Sequence, residues 1–169
     1  MSKRAIWYLA GAVVVVAVIA GVVWFEPHKL FIDDKVNEAA PAGAVLTQGA
    51  PANPAGPVVL ASGSFVTHEH STMGTAQFIR LPDGSRTLRF EDLNTSNGPD
   101  LRVYLSSKAP DAGWHAFGDD YVELGKLKGN VGSQNYDIPA NVDLARYGTA
   151  VIWCKRFSVS FGAAAVRPV

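Results

Sequence analysis

The sequence predicts an all-β protein: an antiparallel β-sandwich of seven to nine strands, preceded by one transmembrane helix and a Pro/Ala/Gly linker. Three observations predict it. Residues Ala5 to Phe25 form an apolar run without a charge. Pro41 to Pro57 is mostly Ala, Pro and Gly, with almost no bulky apolar side chain. Beyond Val58, short apolar runs alternate with turn residues, as strands of a small sandwich require.

The run "AIWYLAGAVVVVAVIAGVVWF" spans about 31 Å as a helix, the thickness of a bilayer core. Trp7 and Tyr8 at one end, with Trp24 and Phe25 at the other, resemble interfacial belts. A cleaved signal peptide is the alternative. Its apolar core is typically about 7–15 residues, with small residues at a cleavage site directly after it. Here Glu26-Pro27-His28-Lys29 follows, so the run reads as a retained anchor. Lys3 and Arg4 precede it and hold the N-terminus on the cytoplasmic side. The expected organisation is a cytoplasmic tail at 1–4, a single-pass helix at 5–25, a membrane-proximal segment and linker at 26–57, and an extracytoplasmic domain at 58–169 of a cell-membrane protein. Leu30 to Ala40 is expected to add a short membrane-proximal helix. The Pro41 to Pro57 stretch cannot bury enough surface to offset its ordering entropy and reads as a semi-extended linker.

Inside the domain, "VVLASGSFV" and "GTAQFIRL" are followed by Pro82-Asp83-Gly84 and then "RTLRFEDL". Proline presets φ and glycine tolerates positive φ, so the last two runs form a hairpin. Leu88 and Phe90 alternate with Arg89 and Glu91, one buried face and one wet. Asn97-Gly98-Pro99 breaks the chain before "DLRVYLS", after which "YVELGKLKG", "QNYDIP", "TAVIWC" and "FSVSFGAAAV" complete the set. "NVDLARYG" has room for one helical turn.

Lys plus Arg number 15 and Asp plus Glu number 15, so no general attraction to nucleic acid exists. The chain lacks C-x-x-C-H, a second cysteine for a thioredoxin motif, G-x-S-x-G, a P-loop and H-E-x-x-H. No carboxylate pair has a spacing that suggests hydrolysis, and "NGPD" reads as a turn, not a calcium loop. Asn94-Thr95-Ser96 fits a glycosylation acceptor, relevant only to a eukaryotic secretory route.

Cys154 is the single cysteine, between Trp153 and the cations Lys155 and Arg156. Two readings stand. Free cysteine is often a small buried hydrophobe; nearby cations instead favour thiolate, a nucleophile and metal ligand. In a continuous strand Cys154 shares the more polar parity with Ile152, Arg156, Ser158 and Ser160, and a tight turn at Lys155-Arg156 would change that phase. His68 and His70 share one face if "THEHSTMG" is extended, and Met73 follows. Two imidazoles, a thiolate and a thioether are blue-copper ligand types. Nothing after Cys154 is His or Met, however, and a pair of surface histidines is the plainer reading.

The blocks "NGPDLRVYLS", "LKGNVGSQNYDIP" and "VIWCKRFSVSFG", over roughly residues 60–166, resemble the DM-thirteen domain, an extracytoplasmic β module also found beside DOMON and cytochrome-b-type domains. The resemblance implies an electron-transfer role centred on the cysteine, here Cys154. The family's histidine before a Gly-Thr pair corresponds to His70 before Gly74-Thr75. The implied cofactor is unnamed: a metal ion or haem iron bound through Cys154, with His70 as a second ligand, or none, with Cys154 cycling through a mixed disulfide. Lys155 and Arg156 would then stabilise the thiolate or meet an anionic partner. With no companion domain in this chain, the redox partner is a separate molecule. The chain is thus expected to be a redox component in place of a stand-alone enzyme, and the rival is a non-enzymatic binding or scaffold module.

Overall fold

The computed structural model describes residues 2–27, 29, 32–41, 45–46 and 56–169. Helix α1 runs Lys3–Phe25, capped at its start by Ser2, whose hydroxyl accepts from the Ala5 amide. It is about 34 Å long at 1.5 Å per residue, and none of it is buried against protein. It is the one helix among the described residues long and apolar enough to cross a membrane.

The strands are β1 (Val45–Leu46), β2 (Val58–Ser64), β3 (Val66–Thr67), β4 (Met73–Arg80), β5 (Arg86–Asn94), β6 (Leu101–Ser106), β7 (Tyr121–Lys126), β8 (Val131–Ile138), β9 (Thr149–Cys154), β10 (Val159–Ala165) and β11 (Arg167–Pro168). Two sheets form among them. One has the order β1-β2-β4-β5-β8, with β11 sharing the outer edge of β2; the other has the order β3-β10-β9-β6-β7. Every pairing is antiparallel except the short β1–β2 bridge. The all-β sandwich behind an N-terminal apolar helix is therefore correct, and the eight strands of six residues or more match the runs read from the sequence.

The hairpin forms where Pro82-Asp83-Gly84 places it. Leu81 N donates to Ser85 O, Asp83 holds the Ser85 amide at 2.9 Å, and Gly84 takes φ 85°. "NVDLARYG" makes turns only. Between the sheets lie Phe78, Leu88 and Phe90 from one side, and Val103, Ile152 and Phe161 from the other. A second cluster (Tyr104, Phe117, Val151, Trp153 and Ala163) fills the outer side of the β9 sheet beneath the loop that carries a short 3-10 turn, Ala116–Gly118.

Residues 32–40 are not helical, contrary to the expected membrane-proximal helix; Leu30 and Phe31 lie outside the described residues. This segment lies along the free edge of β8. Val36 N donates to Val131 O at 2.9 Å and Glu38 N to Ser133 O at 2.8 Å, with a parallel bridge between Lys35 and Val131. Asn97 and Asn130 clamp its start: Asn97 Nδ2 reaches Ile32 O and Asp34 Oδ2, and Asn130 Nδ2 reaches Asp33 Oδ1. Unpaired strand edges attract other chains, and this strap satisfies one. It also explains Arg89. That side chain, expected on a wet face, is buried, bonding Glu91, Glu38 O and Asn135 Oδ1 beneath the strap. Of the expected linker, 42–44 and 47–55 lie outside the described residues.

Candidate functional site

Strand β9 occupies the centre of its sheet, between β10 and β6, and all six of its residues are buried. Alternation sorts them. Val151 and Trp153 face the outer cluster, while Ala150, Ile152 and Cys154 face the inter-sheet core. Cys154 is the last strand residue, opposite Val159 of β10 and Leu101 of β6. A tight turn follows, in which Ser158 takes φ 52°. The turn breaks the phase that a continuous strand would have kept. Cys154 thus lies on the apolar face and not on the polar one.

The sulfur is wholly enclosed, with 0% of the residue exposed. Burial pushes the thiol above its ordinary value; the amides of Phe157, Arg156 and Asp100 pull the other way without overcoming it, and the Asp100 charge adds to the rise. The carbonyl oxygen of the same Asp100 accepts from Lys155 N at 2.9 Å, which ties the turn to the start of β6. The two cations expected to serve a thiolate have other partners. Lys155 Nζ stands 3.6 Å from Glu123, and the Arg156 guanidinium lies 5.3 Å from the centre of the Trp24 ring.

His68 and His70 do not share a strand face, because residues 68–70 form a bend between β3 and β4. His68 is buried. Its Nε2 donates to Pro110 O at 2.8 Å, and Nδ1 shares a hydrogen bond with Ser160 Oγ at 2.9 Å, a hydroxyl that also lies 3.2 Å from Gly162 O. Burial lowers its pKa, against the pull of the Pro110 carbonyl. The ring is held from both sides and favours its uncharged form. The His70 ring packs on Phe161, centroids 4.1 Å apart. No hydrogen bond joins it to Cys154 among the described residues. Met73 is exposed at the start of β4.

This donor set does not make a ready-made metal centre. Backbone N–H groups cannot ligate a cation, and no group of three or more His, Cys, Asp or Glu side chains among the described residues could hold one. What surrounds Cys154 instead is an apolar wall, with the backbone amides of Phe157, Arg156 and Asp100 partly offsetting the effect of burial. That arrangement keeps the thiol protonated at neutral pH and lowers the cost of any negative charge that develops there.

Residues 64–166 match the family described as Electron transfer DM13. The chain belongs to this family. The match covers more than half of the chain, taking in β3 to β10 with Cys154, His68 and His70; α1 and the strap lie outside it. No curated protein and no solved structure matches the chain. A DM13 domain supports a redox-related role, and the apolar helix ahead of it suggests membrane anchoring.

Sequence reasoning missed the strap and the bond that ties the 155–158 turn to Asp100. The signals were faint: Asn97-Gly98-Pro99-Asp100 reads as a turn, and nothing local says that its last carbonyl meets Lys155 far along the chain.

Proposed function

We propose that this chain is a single-pass membrane protein whose DM13 domain stands outside the membrane and takes part in electron transfer, with Cys154 as its redox group and a separate molecule as its redox partner. Lys3 and Arg4 before α1 support an inward N-terminus. The observation that carries the reading is the family match over a domain whose lone thiol stands at the end of its central strand. The enclosed sulfur has no route for direct attack on a partner's disulfide while the 155–158 turn is closed, since exchange requires an accessible thiolate. Exchange by that route therefore requires the turn to open. A metal or haem ligated by Cys154 and His70 forms no part of the proposal.

The full chain in detergent, as wild type and Cys154→Ala, tests this by voltammetry and by thiol titration against reductant. A redox wave present in the first and lost in the second, with circular dichroism unchanged, is the expected result. Equal responses from both proteins would overturn it.

A second reading has one observation in its favour. The 0% exposure of Cys154 is what an apolar filler shows, and the domain is then a non-enzymatic binding or scaffold module on the membrane surface. It requires Cys154→Ala to alter stability alone.

A further inference from the structure

We propose that the rim of the sandwich built from the 155–158 turn and the 113–118 loop is a second membrane contact, seating Trp114 and Phe157 among the phospholipid headgroups of the bilayer that holds α1. The proposal rests on α1 being a retained anchor, as proposed above.

Two independent observations favour this rim as the lipid-facing one. The end of the helix touches it: the Phe25 and Phe157 rings stack with centroids 6.0 Å apart, and Arg156 lies over Trp24. The strap also limits the distance. Its start is held by Asn97, in the same turn region as Asp100, which bonds Lys155. Only seven residue steps separate Phe25 from Ile32, a reach of at most about 25 Å even when fully extended. A flexible linker would let the domain stand well away from the bilayer, but the strap brings its attachment point back to within a few residues of α1.

The rim has the chemistry of an interface. Trp114 and Phe157 are each 46% exposed, the large aromatics of the described domain left most open to solvent. They lie on loops bonded to each other: Ser160 N donates to Trp114 O at 2.8 Å, and His115 Nδ1 meets Ser158 O at 2.6 Å. Aromatic side chains favour the headgroup zone, which accepts an apolar body and a polar edge. Lys155 is exposed beside them, a cation for a lipid phosphate. A protein partner could cover the same aromatics. The contact with the helix end and the short reach favour lipid.

The test uses the full chain in phosphatidylcholine vesicles containing a lipid with a nitroxide on its headgroup. Trp114 emission is taken as the difference between wild type and Trp114→Phe. The control is the emission added by Asp83→Trp, at the hairpin tip. Quenching of the Trp114 signal by half or more, with the emission added by Asp83→Trp unquenched, is expected; Phe157→Ser with Arg156→Gln should cut that quenching at least twofold. Equal quenching at both positions, or none at Trp114, overturns the proposal. Quenching at Trp114 that falls as the protein-to-lipid ratio rises assigns the rim to a second copy and overturns it too. Failure of the wild type to float with the vesicles would instead indict the anchor.

Discussion

The carbonyl of Val36 occupies the space where residue 132 would carry a side chain: a Cβ built on Gly132 falls 1.9 Å from Val36 O. Gly132 also has φ 105°, a conformation other residues rarely adopt. Gly132→Ala should therefore lift the strap from β8 and strain the strand as well. A loss of about 2 kcal/mol or more is expected in urea unfolding of the full chain, judged from the usual cost of such backbone conformations. A variant as stable as wild type would mean that the strap adds nothing to the fold.

Glu38 holds the other end of the strap, at 2.7 Å from Lys128 Nζ and 2.7 Å from the Asn135 amide. Burial alone would raise its pKa, but these donors together hold it below its ordinary 4.5. A carboxyl with a depressed folded value stabilises fully above the unfolded pKa and loses that contribution as pH falls through the folded one. Because the pair is partly exposed, Glu38→Gln should cost only about 0.5–1 kcal/mol at pH 7. The gap between the two proteins should narrow progressively as pH falls below the unfolded carboxyl's range, about 4.3; a gap that widens instead would contradict the assignment.

Cys154 should be slow to label. Its raised pKa keeps the folded thiol protonated in mildly alkaline buffer, and no surface of the residue is open. Reaction with a thiol reagent should accelerate by orders of magnitude in denaturing urea. The same raised value makes stability fall as pH climbs past the ordinary 9.0, where the unfolded thiol ionises and the folded one does not. Cys154→Ala should remove that alkaline slope while costing about 1 kcal/mol for the small void. Rapid labelling of the folded protein would show that the 155–158 turn opens readily.

His68 predicts an acid limb of a different origin. Its folded pKa is depressed by burial below the ordinary 6.5, so the unfolded state takes up a proton first. Stability is whole above about pH 6.5 and declines as pH falls below it. Denaturation midpoints measured from about pH 7.5 to about pH 5, either side of the ordinary imidazole value, should show this decline in wild type and not in His68→Gln. Since Gln can still reach Pro110 O or Ser160, the variant is expected to fold. An identical pH profile in both proteins would remove His68 as the cause.

Much of this architecture was legible in the chain. Strand positions and the hairpin at Pro82-Asp83-Gly84 follow from local alternation and turn chemistry, and α1 follows from an uninterrupted apolar run. Each of these is set by residues close together in sequence, where side-chain periodicity and φ preference act directly. Other features needed partners far along the chain. Arg89 reads as solvent-facing until residues 32–39 are laid across it. Cys154 reads as polar-facing until the turn after it ends the strand and the second sheet closes over the core. Which edge the strap would find depended on the gap over Gly132 and the carboxamides of Asn97 and Asn130. Local sequence determined the strands; long-range pairing decided what each face meets, because burial is a property of the packed neighbours and not of the residue alone.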